Sequence, residues 1–75
     1  MRDVEISRQP VELYKILKFE GLLPSGAEAK IAIDQGSVMV NGEVETRKRK
    51  KIVHDDIIEF NGEQLHVCFN PDMES

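Results

Sequence analysis

The sequence predicts a small α+β fold in which two N-terminal helices pack on a small, mostly antiparallel sheet. Apolar residues repeat with helical spacing in residues 11–20 and 25–35, and the period changes to two after Gly36. Two Asn-Gly pairs, at residues 41–42 and 61–62, are typical of hairpin turns. Because neither helix can bury its apolar face alone, we expect both helices to cover the sheet.

The first predicted helix comprises residues 11–20, VELYKILKFE. Pro10 suits the first helical turn and Gly21 suits the end. Lys15 and Lys18 lie together on one edge, and Phe19 lies on the polar side, where we expect it to pack against the following GLLP segment. The expected core face contains Leu13, Tyr14, Ile16 and Leu17.

The second predicted helix comprises residues 25–35, SGAEAKIAIDQ, and has a well-marked start. Ser25 and Glu28 have the spacing of a capping box, and Gly36 suits a left-handed stop. Lys30 and Asp34 are four residues apart, so we expect an ion pair between them. One face carries small residues that would allow close packing against a neighbour: Ala29, Ala32 and Ile33.

Two hairpins are predicted after the helices. A two-residue turn at Asn41-Gly42 would pair Val40 with Glu43 and mix valines with glutamates on one face, so we expect a short or irregular hairpin. In the second hairpin Ile58 faces Leu65, and Phe60, Val67 and Phe69 share that side. The predicted organisation is an N-terminal segment over residues 1–10, a domain over 11–69 and a disordered tail over 70–75.

The composition excludes several classes of protein. The 75 residues suffice for one small domain with a thin core and no room for an enclosed substrate pocket. The single cysteine, Cys68, excludes an internal disulfide, and a closed zinc site needs about four ligands, which one cysteine and two distant histidines do not supply. No signal peptide or membrane span is evident. We therefore expect a cytoplasmic monomer that is not an enzyme and has no metal, cofactor or small-molecule substrate.

The charge is distributed unevenly along the chain. The net charge is -4, but residues 15–51 have a net charge of +3, while residues 52–75 contain six acids and no Lys or Arg. Half of the 10 cations form one run, RKRKK over residues 47–51 (the basic run), within the segment ETRKRKKIVHDD. Like charges in a row repel one another, and local potential decides what binds. The basic run therefore favours an anion-binding role over an incidental solvated loop.

Other candidate functional residues are better explained by structural roles in turns and strands than by catalytic roles. Asp55 and Asp56 are adjacent before a strand, so they suit a turn better than a catalytic carboxylate pair. His66 and Cys68 alternate with apolar residues and should share the outer face of a strand; no third residue that could orient a reactive thiol is evident. His54 is expected to be an exposed turn residue.

The segment SGAEAKIAIDQGSVMVNGEVET, followed by ETRKRKKIV, resembles the S4 RNA-binding domain, which is named after the fourth protein of the small ribosomal subunit. The resemblance covers residues 11–69, and the whole short chain is most similar to the stand-alone YbcJ-like branch of bacterial proteins. The matching positions are Ser25, Ala29, Lys30, Ile33, Gly36, Val38, Val40, Asn41 and Gly42.

The resemblance implies an αL-type motif whose helices and following loop form one surface for structured RNA, such as ribosomal or transfer RNA. It implies RNA contacts by Lys15, Lys18, Ser25, Lys30, Arg47, Lys48, Arg49, Lys50 and Lys51. The alternative function is a protein-interaction module whose basic run docks an acidic partner. An RNA mobility-shift assay distinguishes the two, because only RNA binding requires a shift.

Overall fold

The chain begins with a strand, and both helices follow it. The structure, a computed structural model, describes residues 1–73. Within that range β1 (Arg2–Ile6) and β2 (Val11–Glu12) precede α1 (Leu13–Phe19) and α2 (Gly26–Asp34). The remaining elements are β3 (Val38–Val40), β4 (Glu43–Val44), β5 (Lys51–Ile52), β6 (Ile57–Phe60), β7 (Glu63–Phe69) and a 3-10 helix (Pro71–Met73).

Five of the strands form one sheet in the order β1-β7-β6-β3-β4, and β2 pairs with β5 in a separate antiparallel ribbon. β1 runs parallel to β7, whereas the other neighbours in the large sheet are antiparallel. The predicted order of two N-terminal helices before the sheet is therefore wrong, although the α+β class and a largely antiparallel sheet are retained. The error arose because RDVEI offers only two inward residues, Val4 and Ile6, and its partner strand is distant in sequence.

The core lies between one face of the large sheet and the two helices. Val4 and Ile6 of β1 contribute to it, which explains why the first strand is part of the fold. The Ala29 side of α2 is buried as predicted, since small side chains let this helix approach its neighbours closely. The fully buried large side chains are Leu13, Ile16, Leu17, Ile33, Ile52, Ile58, Leu65, Val38 and Val67.

The helix boundaries differ in how well local sequence predicts them. α1 begins at Leu13 rather than at residue 11, because Val11 pairs with Ile52 and joins the short ribbon. α2 agrees closely with its prediction: Ser25 is the N-cap, and its Oγ accepts a hydrogen bond from the Glu28 amide at 3.2 Å. The start of α2 depends on two residues that are close in sequence, whereas the start of α1 depends on pairing with a distant strand.

The predicted hairpins are both present. The first is short, as expected, with Val40 opposite Glu43 at the turn. The second pairs Ile58 with Leu65, also as predicted. Of the predicted tail, residues 71–73 form the 3-10 helix, and the Asn70 amide donates to the Ile6 carbonyl at 2.8 Å. Residues 74 and 75 lie outside the described part of the chain.

Candidate nucleic-acid interface

The basic run is held against the start of α1 by backbone hydrogen bonds. The Leu13 amide donates to the Lys50 carbonyl at 2.9 Å, and the Tyr14 amide donates to the Lys48 carbonyl at 3.2 Å. The first amides of a helix lack partners within the helix, and the N-cap residue Glu12 provides no side-chain cap. Carbonyls of the basic run therefore replace the missing cap and fix the run beside the helix.

Three cationic side chains surround the ring of Tyr14. The Lys30 Nζ lies 4.6 Å from the ring centroid, the Arg49 Cζ lies 5.6 Å from it, and the Lys15 Nζ lies 6.0 Å from it. These distances fall within the range of cation–π attraction. We predicted Tyr14 as a core residue, and it does pack against the core, but its ring also joins cations from α1, α2 and the basic run.

Close packing of α1 on α2 holds the Tyr14 ring in place. A Cβ at Gly26 would lie 3.5 Å from the ring, so the backbone of α2 begins directly against it. Sequence reasoning missed this central position because Tyr14 shares the apolar arc of its helix. The phenolic hydroxyl at the edge of that arc was the available signal, since such a group favours a partly exposed site.

Several of the predicted cations are neutralised by acids of the chain. Arg47 donates to Glu45 through Nε at 2.9 Å and Nη2 at 3.1 Å, which is a bidentate pair. Hydrogen bonds from the Arg47 side chain and backbone lower the pKa of Glu45 to about 2. The Lys48 Nζ lies 3.9 Å from an Asp34 oxygen, so the predicted Lys30–Asp34 pair is replaced by a contact to the basic run.

Glu12 neutralises two further cations from different elements. The Lys15 Nζ lies 3.1 Å from one of its oxygens, and the Arg49 Nη1 donates to the other at 3.2 Å. The hydrogen bond from Lys15, followed by that from Arg49, lowers the pKa of Glu12. Within residues 1–73, four predicted cations make no ion pair with the chain: Lys18, Lys30, Lys50 and Lys51.

The nine predicted site residues thus divide by position. Lys15, Lys30 and Arg49 meet at Tyr14, and the rest of the basic run follows along the start of α1. Ser25 also lies at this end of α2, but its Oγ is occupied as a helix cap. Lys18 lies further along α1, so it extends the cationic surface rather than joining its centre.

An open groove of about 680 Å³ lies between α1 and the segment that joins β1 to β2. Its lining includes Arg8, Tyr14, Lys15, Lys18 and Phe19. Phe19 is 69% exposed, so the expectation that it packs against GLLP is wrong, and the Lys18 Nζ lies 5.8 Å from its ring centroid. Three carboxylates also line the groove, those of Glu5, Glu12 and Glu20. The groove is therefore mixed in charge, unlike the basic run.

A second group of polar side chains lies on the outer face of the large sheet. Asp3, His66 and Cys68 each offer a potential metal ligand atom, and these atoms lie within 4.8 Å of one another. The hydrogen bond to Asp55, followed by that to Asp3, raises the pKa of His66. Burial, followed by the charges of Asp3, Asp55 and Glu5, raises the pKa of the Cys68 thiol. As predicted, His66 and Cys68 face away from the core.

The turn before β6 has the structural role that we predicted for its acids. Asp55 has a φ of 73°, in the left-handed region, and the Asp56 carboxylate accepts the Val53 amide at 2.9 Å. The Asn41 side-chain amide also donates to Asp56 at 3.0 Å, which connects this turn to the first hairpin. His54 is exposed, and its Nδ1 accepts the Phe69 amide at 2.9 Å.

Comparison with known proteins places these features in a family. The S4 domain profile matches residues 4–68. The chain is 48% identical over 68 residues to the "Putative RNA-binding protein YbcJ" of Escherichia coli strain K12, covering 89% of this chain and 97% of the relative. A YbcJ protein of Shigella flexneri matches with the same identity and coverage.

Solved structures give the same relationship. The solution structure of E. coli YbcJ, described as having an αL motif involved in RNA binding, matches with a TM-score of 0.70 and 48% identity over 91% of this chain and 87% of that one. A pseudouridylate synthase matches with a TM-score of 0.67 and 30% identity, over 75% of this chain but 24% of the enzyme. The 30S ribosomal protein S4e of Thermoplasma acidophilum matches with a TM-score of 0.64 and 31% identity, over 76% and 30%.

Proposed function

This chain belongs to the S4 domain family, and from that premise we propose that it binds structured RNA through the surface formed by α1, the start of α2 and the basic run. The observation that best supports the proposal is the convergence of Lys15, Lys30 and Arg49 on the Tyr14 ring. It joins cations from three separate elements into one surface. Arginine and lysine on such a surface neutralise phosphates and release counterions, which favours binding.

The preference for folded RNA is supported by the shortage of exposed aromatic rings. Proteins that bind single strands without sequence preference stack bases on aromatic side chains. Among the four aromatic residues of the chain, Phe19 alone is largely exposed, while Tyr14, Phe60 and Phe69 pack against the core. A rigid cationic surface with one free ring suits a phosphate backbone of fixed shape better than a flexible strand.

Ribosomal RNA is the first candidate among structured RNAs, and transfer RNA is the second. One structural relative is a protein of the 30S ribosomal subunit, although the match covers only 30% of that chain. The E. coli relative, which matches nearly end to end, is named as an RNA-binding protein, and its solution structure is described as having an αL motif involved in RNA binding. On this proposal the chain is a non-catalytic, cytoplasmic RNA-binding module. Among residues 1–73, no helix has the length and hydropathy needed to span a membrane.

The proposal is tested by fluorescence anisotropy with a hairpin RNA and an unstructured strand of equal length. We expect tighter binding to the hairpin, and weaker binding after Lys30→Ala or Lys50→Ala. Arg2→Ala is the matched control, because it removes the same charge near the other end of α1, where Arg2 contacts Glu20. Equal losses in all three variants would indicate only a general charge effect.

Tyr14 provides a second test of the same surface. Tyr14→Phe keeps the ring and should retain RNA affinity. Tyr14→Leu removes the cation–π contacts, each of which contributes about 0.5–1 kcal/mol at an exposed site, and should therefore lower RNA affinity. Failure of the folded parent protein to bind either RNA would overturn the proposal. It would favour the alternative in which the basic run docks an acidic protein.

A further inference from the structure

The seam between β1 and β7 brings together three side chains with metal-binding chemistry. The parallel register places Asp3 beside His66, and Cys68 follows two residues later on β7. All three point away from the buried Val4 and Val67, so they share the outer face of the sheet. They come from two paired strands, which fixes their backbone positions more firmly than a loop would.

The distances between the ligand atoms resemble those of a tetrahedral site. The His66 Nδ1 lies 3.3 Å from the Asp3 Oδ1 and 3.7 Å from the Cys68 Sγ. Zinc bonds of about 2.0–2.2 Å to nitrogen or oxygen and about 2.3 Å to sulfur place neighbouring ligand atoms about 3.3–3.6 Å apart. The Nδ1–Oδ1 separation therefore falls within this range, and the Nδ1–Sγ separation exceeds it by only about 0.1 Å. The exposed Asp3 side chain can rotate to adjust the third separation, that between its carboxylate oxygen and the Cys68 Sγ.

His66 is oriented for metal binding by a fourth residue. Its Nε2 lies 3.0 Å from the Asp55 Oδ1, so the Nε2 hydrogen can be donated to that carboxylate. The Nδ1 lone pair then points at Asp3 and Cys68, between two groups that are anionic when they bind metal. A carboxylate that accepts the far N–H of a histidine is a common outer partner in zinc sites, because it fixes the ring and its tautomer.

Asp55 is itself held in place by the turn that contains it. Its amide donates to the Val67 carbonyl at 2.8 Å, which ties the turn to β7 between the two candidate ligands of that strand. The His54 Nε2 lies 3.4 Å from the same Asp55 oxygen that contacts His66. The two histidines, distant in sequence, thus share one carboxylate.

We propose that Asp3, His66 and Cys68 bind a divalent transition-metal ion of the zinc class, with water in the fourth coordination position. A thiolate and an imidazole select zinc or cobalt over magnesium and calcium, which prefer oxygen ligands. Binding releases to solvent the Cys68 proton and, where His66 is protonated, its Nδ1 proton; the thiolate and carboxylate then balance the two charges of the ion. The occupied site would join β1 to β7 on the face opposite the helices, independently of RNA.

Cobalt titration of the untagged, reduced protein tests this site directly. A Co²⁺–thiolate bond gives a charge-transfer band, and tetrahedral Co²⁺ gives strong visible absorption, so we expect both at one equivalent and their loss on adding Zn²⁺. Zn²⁺ should also raise the melting temperature in a concentration-dependent manner, as for any ligand that binds only the folded state, whereas Mg²⁺ should not.

Variants separate the ligands from their surroundings. Cys68→Ser should abolish the charge-transfer band, and the exposed Asp3→Asn should weaken Co²⁺ binding. Asp55→Asn, which suits the left-handed backbone there, should lower affinity by about 10–100-fold. Glu59→Gln is the matched control, since Glu59 lies on the same sheet face, on β6 opposite Gln64, and should leave affinity unchanged.

Circular dichroism of each variant verifies folding, and the conservative Asp3→Asn keeps the test decisive if a β7 variant is unstable. Absence of the charge-transfer band in the folded parent protein would overturn the proposal. Equal Co²⁺ affinity in Asp3→Asn and Glu59→Gln would also overturn it, because general surface charge would then explain any binding.

Discussion

The backbone amide of Leu13 donates a hydrogen bond to the Lys50 carbonyl over 2.9 Å, which joins the start of α1 to the basic run. A cationic segment that serves as a helix cap has a defined conformation before any ligand arrives. Less conformational entropy is then lost on binding than with a free loop. The predicted RNA surface is therefore largely preorganised.

Amide hydrogen exchange measures this preorganisation. We expect the Leu13 and Tyr14 amides to exchange more slowly than the first amides of α2, those of Gly26 and Ala27. All four occupy the first turn of a helix, where intrahelical partners are missing, but Leu13 and Tyr14 donate to carbonyls of the basic run. Similar exchange rates at the four positions, measured by NMR, would show that the run detaches freely in solution.

The small residues of α2 set the distance between that helix and the core. Ala29 is completely buried, so Ala29→Leu should lower the free energy of unfolding by about 1–3 kcal/mol through overpacking. Ala27→Leu is the control, because Ala27 is exposed on the same helix and receives the same substitution. Urea denaturation compares the two variants. Equal stability would contradict the close packing of α2.

If the chain binds RNA as proposed, the Glu45–Arg47 pair should oppose that binding while supporting the fold. Glu45→Gln should raise RNA affinity, because it frees the Arg47 guanidinium and removes a negative charge beside the basic run. Glu43→Gln is the control, since it makes the same charge change on the exposed β4. The Arg47 side chain is 71% exposed, so solvent screens the pair and Glu45→Gln should lower the stability of the fold only slightly. A decrease in RNA affinity would refute this account.

The same pair predicts how stability depends on pH. Arg47 lowers the pKa of Glu45 from 4.5 to about 2 in the folded chain. A lowered carboxylate pKa contributes stability that is fully present above pH 4.5 and is lost as the pH falls towards 2. Melting temperatures measured between those values should fall less steeply in Glu45→Gln than in the parent protein. Parallel curves would show that the pair contributes nothing.

Salt dependence measures how many phosphates the surface neutralises. About four contacts, from the cations without ion pairs, would give a log–log slope of roughly -3 to -4 for RNA affinity against salt. Lys50→Ala should flatten that slope by about one unit and weaken binding to different RNAs by similar factors. Arg47→Ala should change it less, because Glu45 already holds that guanidinium. A slope near zero in the parent protein would exclude phosphate contacts as the main source of affinity.

Local features of the sequence were reliable where neighbouring residues determine the structure. The cap of α2 follows from Ser25 and Glu28, three residues apart, and its end from Gly36, which has a φ of 78°. The register of the second hairpin follows from the alternation around Asn61-Gly62. Each of these features needs only contacts that are close in sequence, so periodicity and turn chemistry were sufficient.

Contacts between residues that are distant in sequence could not be predicted from periodicity and turn chemistry. β1 was missed because the residues that complete its pairing lie at the other end of the domain, and Asp3 was therefore absent from any predicted cluster. Lys30 was assigned to Asp34 by helical spacing, but the Tyr14 ring of α1 and Lys48 of the basic run offered competing tertiary partners. The basic run itself was evident from composition, whereas its attachment to Leu13 was not.

The parallel pairing of β1 with β7 also constrains how the chain folds. Its register joins Arg2 to Leu65 and Ile6 to Phe69, so each pair closes a loop of more than 60 residues. Folding rates decrease as contacting residues become more distant in sequence, because the loop-closure entropy is lost before the contact forms. The helices and hairpins can assemble from nearby residues, and β1 is then the last strand to dock. The contacts of β1 should therefore be absent from the folding transition state, and substitutions in β1 should mainly accelerate unfolding.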